Sequence, residues 1–331
     1  MLVNAGIFKK MFQLGKARGL YANEKIQSLT KELAEHEDML PVFVAYEVFN
    51  PVIESPDWET IGTELGSQMT PLNLGVLGYY LHACDDLFSA YQALVRYQAL
   101  LSDVANFHVE TKRDEVHWYL ITPMAYGFLD NRMMKVVSDL SMAYRHRTLE
   151  ILIGRTLTPV SIEFVYPDTD SSWVTGQEKF FKCPATFGNK YNKIIYRARD
   201  VTELIPSRSK DVCRQLEPLL NKRVEELFGN RNQTQLVERL IRANIGLMAC
   251  TLESISFKLN MSARNLQRKL QLEGTKFQTI LENLQKEMAL SMKKNGMVPK
   301  EIADHLGYRE TNSFLRAFKR WFGESFSEYS D

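Results

Sequence analysis

Chemistry-bearing side chains are sparse in this chain of 331 residues, which has four cysteines and six histidines. Cys84, Cys183, Cys213 and Cys250 form no C-x-x-C pair, so neither a zinc site nor a disulfide framework is indicated. All four read as reduced, mostly buried thiols. His36, His82, His108, His117, His146 and His305 lack metal-ligand spacing, and no phosphate-binding glycine loop occurs, so no metal and no cofactor is expected. His82, after Tyr79-Tyr80, could line a pocket, but a packed surface histidine is the preferred reading. No apolar run is long enough to span a bilayer, and Lys9 and Lys10 stand where a signal peptide would carry its apolar core. No membrane partner is therefore expected, and the protein is placed in the cytoplasm. Cys183, in Lys182-Cys183-Pro184, would need a base or positive field to act as a nucleophile, and one neighbouring lysine is thin support. The inert reading is preferred, no catalytic residue is assigned, and the chain is not expected to be an enzyme.

What is present is ordinary in amount and unusual in arrangement. Hydrophobic residues make up 45% and charged residues 24%, the balance of a globular protein long enough for two domains. The net charge of +1 hides an asymmetry: residues 231–331 carry 16 Lys and Arg against 11 Asp and Glu, while the preceding 230 carry 25 against 29. A polyanionic partner is expected for the basic part and not for the acidic one.

The first hundred residues read mainly as helices. Leu2 to Gly15, Asn23 to His36 and Ser89 to Leu101 have apolar residues at helical spacing, with loops marked by Gly19, Pro51, Pro56 and Pro71. The period then changes to alternation over Asn106 to Lys112 and Glu115 to Thr122, with Arg113-Asp114 between them, as in a hairpin. A helix from Asp130 to Ile153, a strand from Val160 to Tyr166, a helix from Ser171 to Phe181 and a strand from Lys193 to Arg199 complete an α+β domain with a small antiparallel sheet. Ile205 to Lys210 and Gly229 to Thr234 punctuate an amphipathic segment whose apolar face is Val212, Leu216, Leu219, Leu220, Val224 and Leu227. That face either packs on its own domain or pairs with a second copy in a homodimer.

The last third contains one pattern written twice. Ile255, Leu259 and Met261 match Ile302, Leu306 and Tyr308; a small residue follows each isoleucine (Ser256, Ala303), and a residue tolerant of positive φ follows each leucine (Asn260, Gly307). This is the pattern of a helix-turn-helix, so the C-terminal domain is expected to be all-α with two such motifs. In the first second-helix, capped by Ser262, Leu266 and Leu270 form the inward stripe, and Arg264, Gln267, Arg268 and Gln271 the opposite face. In the second copy, Phe314, Phe318, Trp321 and Phe322 face inward, and Asn312, Arg316 and Lys319 share the outer side. Arg, Gln and Asn carry the paired donors and acceptors that match base edges, so both outer faces suit DNA. Gln235 to Leu247 reads as the opening helix of the domain and Phe277 to Lys294 as one long connecting helix.

Met261-Ser-Ala-Arg-Asn-Leu-Gln-Arg-Lys-Leu270, Glu301-Ile-Ala-Asp-His-Leu-Gly-Tyr308 and Ser313-Phe-Leu-Arg-Ala-Phe-Lys-Arg-Trp-Phe-Gly323 resemble the AraC/XylS family of bacterial transcription regulators over about the last hundred residues. The sequence departs from the family at Phe326 (usually proline), Ser330 (usually arginine) and Gln285 (commonly arginine). Thr70-Pro-Leu-Asn-Leu-Gly-Val-Leu-Gly-Tyr-Tyr80, Arg96-Tyr97 and Lys182-Cys-Pro-Ala-Thr-Phe-Gly188 are similar to the N-terminal effector domain, labelled arabinose-binding, found ahead of many such DNA-binding domains. The label is not evidence for arabinose. The resemblance implies an effector-binding domain over 1–204, a linker and helix over 205–230, and a double helix-turn-helix over 231–331. It also implies promoter DNA, RNA polymerase and a small-molecule effector as partners. Carried over by position, the DNA contacts are Arg264, Gln267 and Arg268 in the first recognition helix and Thr311, Asn312 and Arg316 in the second. Lys293, Lys294, Lys319 and Arg320 are phosphate contacts or solvated charges. Leu315 either touches a thymine methyl or is a tolerated surface residue. The expected function is an effector-controlled activator of transcription, with a constitutive regulator that uses its front domain only to dimerise as the alternative.

Overall fold

A computed structural model of the chain describes residues 2–102, 105–121, 131–167, 171–228, 232–245, 250–259, 261–294 and 296–329. They fall into two compact units, Met1–Leu227 and Phe228–Asp331. Several expectations lie outside the described residues: the hairpin end at Thr122, the helix start at Asp130, the linker residues 229–231, the helix end at Leu247, the turn at Asn260 and the departure at Ser330.

The first unit begins with β1 (Leu2–Asn4), α1 (Ala5–Ala17), α2 (Asn23–Ala34), β2 (Met39–Pro41), α3 (Val42–Ile53) and α4 (Trp58–Ser67). After a 3-10 turn at Pro71–Leu74 come α5 (Val76–Ala83), α6 (Leu87–Arg96), a second such turn, β3 (Asn106–Lys112), β4 (Glu115–Ile121) and the 23-residue α7 (Asn131–Ile153). Next are β5 (Ser161–Glu163), α8 (Ser171–Phe181), β6 (Ala185–Thr186), β7 (Asn192–Arg197), α9 (Ala198–Val201) and α10 (Lys210–Phe228). The unit is α+β, as its changing periodicity predicts.

Four sequence expectations need correction. Residues 2–4 are not helical: they pair antiparallel with β2, and the Asn4 side chain then accepts the Ile7 N–H at 3.2 Å to cap α1. A long-range strand pair and a local cap override helical spacing there. The helix expected from Ser89 starts two residues earlier and stops at Arg96, because Asp86 and Ser89 form a capping box that makes Ser89 the third residue of α6. Pro51 marks no loop; it lies inside α3. The five-stranded sheet, ordered β3-β4-β7-β5-β6, is mixed, since β6 joins β5 in parallel. The hairpin reading holds, with Lys112 opposite Glu115 and Arg113 at φ 54° in the turn.

The core of this unit forms where helices meet the sheet. Trp118 of β4 stacks on Tyr91 of α6, with ring centroids 4.2 Å apart, and Tyr196 of β7 lies against Trp118 at 4.8 Å. Helix α7 approaches α4 at backbone distance. A Cβ on Gly62 would stand 2.7 Å from the Val136 carbonyl oxygen, and one on Gly66 would stand 2.4 Å from that of Leu140. Only glycine permits this contact. Inside it, the buried Lys135 ammonium donates to Asp139 at 2.6 Å and to the Glu59 carbonyl at 2.5 Å, and the Tyr166 hydroxyl donates to the other Asp139 oxygen at 2.5 Å. One turn beyond the Gly66 contact, buried His146 shares a 2.7 Å hydrogen bond between Nδ1 and the Tyr196 hydroxyl.

The second unit is all-α: α11 (Gln233–Asn244), α12 (Leu252–Lys258), α13 (Ala263–Leu272), α14 (Phe277–Lys294), α15 (Pro299–His305) and α16 (Thr311–Phe322). Helix α11 starts two residues before its expected position because Asn232 caps it, accepting the Gln235 N–H at 2.9 Å. The Glu273 carboxylate adds bonds from the Gln233 and Thr234 N–H groups at 2.7 and 2.8 Å. Helix α14 is a single element of 18 residues. At 1.5 Å per residue it spans about 27 Å.

Two outcomes test this packing. Gly66→Ala should lower unfolding free energy by about 1–3 kcal/mol through overpacking, while Gly176→Ala, a helical position with nothing within 4 Å of the added methyl, should be neutral or stabilising by up to about 1 kcal/mol. Urea titration of both variants measures the difference; equal losses would contradict the close approach. Burial, the dominant cause, pulls the His146 pKa from 6.5 to about 4, with Glu150 opposing and Arg147 and Lys182 assisting. Below pH 6.5 the unfolded chain binds this proton and the native one does not. The stability is therefore complete above that pH and is lost as pH falls towards 4, by about 3 kcal/mol at most. His146→Gln should flatten the stability-against-pH curve over that window; an unchanged slope would remove His146 as its source.

Candidate functional site

In the second unit the two motifs are built alike bond for bond. The Met261 N–H donates to the Ser256 carbonyl at 3.0 Å, and the Tyr308 N–H to the Ala303 carbonyl at 2.9 Å. Ile255, Ser256 and Leu259 are buried, as are Ile302, Ala303 and Leu306. Gly307 takes φ 81°, the left-handed turn conformation. Each pair of helices thus crosses over a small residue and reverses within a few residues, leaving the outer face of its second helix in solvent.

Helix α13 follows Ser262, whose side chain caps it by accepting the Asn265 N–H at 3.2 Å. Leu266 and Leu270 are fully buried, and Arg264, Gln267, Arg268 and Gln271 are exposed. On α16, Phe314, Ala317 and Phe318 are buried, Asn312, Arg316 and Lys319 are exposed, and Thr311 is half-buried at the first turn. Each helix steadies one arginine through the polar residue three positions before it. Arg268 donates to Asn265 Oδ1 and Arg316 to Ser313 Oγ, both at 3.2 Å. The candidate residues therefore stand in two groups, one per helix.

Other residues sort differently from their sequence reading. Lys293 is not a plain solvated charge: its ammonium donates to the Tyr329 carbonyl at 2.6 Å and lies over the Phe326 ring at 5.1 Å. Arg320 reaches Glu282 at 3.6 Å. Leu315 is half-buried against the aromatic core beneath α16. Phe326, where relatives usually carry proline, adds a ring to that core, 5.0 Å from Phe318 and 6.0 Å from Phe314. Gln285 donates to the Leu306 carbonyl at 3.4 Å, spanning α14 and the end of α15. The apolar face of α10 divides: Leu220 and Val224 are buried in the first unit, whereas Val212 and Leu219 are exposed.

The first unit holds a half-open cavity of about 600 Å³. Its wall is drawn mainly from β1, α1, α3, α6, β3 and α7, and most of it is apolar; Arg145 of α7 is part of it. Residues 79–82 do not line it. His82 is half-buried at the end of α5, where its carbonyl accepts the Ser207 hydroxyl at 2.7 Å. The sequence contained one signal for this site, an arginine within an apolar stripe: Arg145 follows Val137 and Ser141 at helical spacing, between Tyr144 and Thr148. Cys183 offers no nucleophile, because burial, aided by Glu178, pushes its thiol up to about 12. Among the described residues, no helix is long and apolar enough to cross a membrane, and no group of three or more His, Cys, Asp or Glu could hold a metal ion.

Two helix-turn-helix motifs with free recognition helices behind an α+β domain define a DNA-binding transcription regulator with an effector-type front domain. Comparison with known proteins agrees: the arabinose-binding N-terminal domain of AraC transcription regulators matches residues 29–204, and a helix-turn-helix domain matches residues 255–331. The chain belongs to the AraC family of transcription regulators. It is 24% identical to an HTH-type transcriptional regulator of Mycobacterium tuberculosis, over 83% of this chain and 79% of the relative. It is 25% identical to the ornithine utilization regulator of Pseudomonas aeruginosa, over 82% and 78%, and 23% identical to the HTH-type regulator VqsM of the same organism, over 91% and 94%.

Cys183 yields a direct check. With its pKa raised from 9 to about 12, its thiolate fraction in the native protein is about a thousandfold below that of a free thiol, so iodoacetamide should label it only on unfolding. Rapid native labelling mapped to Cys183 would contradict the buried assignment.

Proposed function

We propose that this protein is a cytoplasmic activator that reads an asymmetric promoter site with one chain, recruits RNA polymerase, and is controlled by a small molecule bound in the first unit. In this reading Arg264, Gln267 and Arg268 contact bases from α13, Thr311, Asn312 and Arg316 do so from α16, and Lys319 contacts phosphate. The observation that carries it is the pairing, in both motifs, of a fully buried apolar face with an exposed face of Arg, Gln and Asn. The 16-to-11 excess of basic over acidic residues in 231–331 supplies the general attraction for a polyanion.

The alternative, a constitutive regulator whose front domain only dimerises, accounts for the exposed Val212 and Leu219 but gives the half-open cavity no role. A cavity of about 600 Å³ falls within the usual range for small-molecule sites, which favours effector control. One relative is named for ornithine utilization. Among the described residues the cavity wall of this chain has an arginine for a carboxylate but no carboxylate for the two ammonium groups of ornithine, which argues for a different effector here.

The experiment is a comparison of full-length variants on the cognate site and on random duplex, each titrated against salt. Arg268→Ala should cost about 1–3 kcal/mol on the cognate site and much less on random DNA, since a bidentate base contact is lost. Lys319→Ala should weaken both alike and reduce the salt slope by about one. Equal losses on both duplexes for Arg268→Ala would take it out of the base-reading set, and binding indifferent to salt would count against the whole interface.

A further inference from the structure

The wall of the cavity in the first unit includes a charged group, Arg145, whose pairing is incomplete among the described residues. Arg145 lines the cavity and keeps accessible surface there, with its guanidinium carbon 3.7 Å from the centroid of the Phe107 ring. Its Nη1 is sealed from water and has no hydrogen-bond partner among the described residues. Among the described residues, the groups that favour its charged form are the phenols of Tyr91 and Tyr144, with no carboxylate beside them. Both phenols donate their protons elsewhere, Tyr91 to the Tyr119 carbonyl at 3.2 Å and Tyr144 to that of Thr70 at 3.1 Å. Burial brings the guanidinium pKa down only to about 10, so the group remains a cation at neutral pH.

The same helix shows what a satisfied buried cation looks like. Lys135, nearly three turns earlier on α7, is 1% exposed and held by a carboxylate and a backbone carbonyl. Arg145 is half-buried and keeps its charge, but no anion pairs with it among the described residues, and a desolvated charge left unpaired is costly unless something supplies its counterion. Ser141 and Thr148 flank it on α7, and most of the remaining wall is hydrocarbon and aromatic, including Phe8, Met11, Phe49, Leu94 and Phe107.

We propose that the cavity binds a lipophilic carboxylic acid, whose carboxylate pairs with Arg145 and whose hydrocarbon body lies on the apolar wall. The proposal rests on the reading of the first unit as an effector domain. A guanidinium is suited to a carboxylate, which can accept two parallel N–H bonds from it, and the apolar wall rewards a ligand with a substantial hydrocarbon portion. A pentose fits poorly, because its hydroxyls would lose water to a wall with few partners for them. An amine would add a second cation beside the first. Binding of the acid would supply the missing counterion, and it would regulate DNA binding to the extent that one functional state of the chain offers this cavity and another does not.

The test uses the full chain and thermal unfolding with decanoate, palmitate and naphthoate, each beside the alcohol and the amine of the same skeleton. Acids should raise Tm and bind at least about tenfold more tightly than their alcohols, and amines should bind least. Arg145→Gln should weaken the acids about tenfold while leaving the alcohols unchanged, and Arg145→Lys should keep part of the preference. Ser141→Phe, which places a ring in the cavity, should abolish the response to every probe without lowering the unliganded Tm by more than a few degrees. Palmitate against naphthoate distinguishes a straight-chain from a ring-bearing acid. The proposal is overturned if alcohols bind wild-type protein as tightly as acids, if Arg145→Gln binds acids normally, or if Ser141→Phe still responds. Should Arg145→Gln fail to fold, the wild-type acid-to-alcohol ratio and Ser141→Phe decide the matter. If the acids fail but another small molecule both raises Tm and shifts promoter affinity, the ligand class falls and effector control stands. If no small molecule binds and Ser141→Phe regulates its promoter as wild type does, effector control falls as well.

Discussion

Backbone contact between α4 and α7 is the constraint on which the first unit depends. Gly62 and Gly66, having no side chain of their own, let α4 meet the backbone of α7 directly, and that fixes where every other face of α7 points. One face holds Lys135, Asp139 and Tyr166 in a buried polar network, another sets His146 against Tyr196, and a third lines the cavity. A buried ion pair of this kind contributes little net stability against well-packed apolar residues, but breaking it is expensive. The pair lies within α7 itself; what ties it to α4 is the Lys135 bond to the Glu59 carbonyl, and the same helix carries Arg145 to the cavity wall.

The second unit reaches one geometry twice with different materials. Under α13 the core face is two leucines; under α16 it is an interlocked group of aromatic rings, joined by Phe326 and Tyr329 from the C-terminal segment. What the copies share is smaller and more local: a buried isoleucine, a small residue at the crossing, and the same backbone hydrogen bond across the turn. The turn is therefore the conserved device within this chain, and the packing beneath it is free to vary. Lys293 shows the consequence, since the ring-rich C-terminal segment captures a side chain that simple charge counting assigns to solvent.

Sequence legibility followed the range of the interactions involved. Helices α13, α14 and α16 were readable because each buries a stripe repeating within its own segment, and the hairpin around Arg113 was readable because alternation and turn lie together. Leu2–Asn4 was misread because its partner, Met39–Pro41, is distant in the chain and leaves no local mark. Apolar spacing starts α6 two residues late, at Ser89, because the true start is set by the Asp86 cap and not by the repeat, and Pro51 lies within α3 because proline marks a break only when nothing holds the helix together around it. The cavity is harder to read for a stronger reason. Its lining comes from strands, helices and turns scattered over residues 2–148, and its one local signal, Arg145, reads in isolation as an ordinary charge on an amphipathic helix. His82 is the packed surface histidine that its sequence reading prefers, and the cavity lies elsewhere in the unit.

The start of α11 bears on how this chain can be cut and joined. Asn232 and Glu273 together take the Gln233, Thr234 and Gln235 N–H groups, and Glu273 lies just past the end of α13. The first turn of the second unit is thus tied to one of its recognition helices by side-chain bonds as well as by the core. A chimera that grafts the double helix-turn-helix onto a foreign sensor must keep Asn232 and everything after it. A splice even three residues later would release those N–H groups, forfeit about 1 kcal/mol for each, and leave Glu273 as a stray negative charge at the end of a helix meant to approach phosphate.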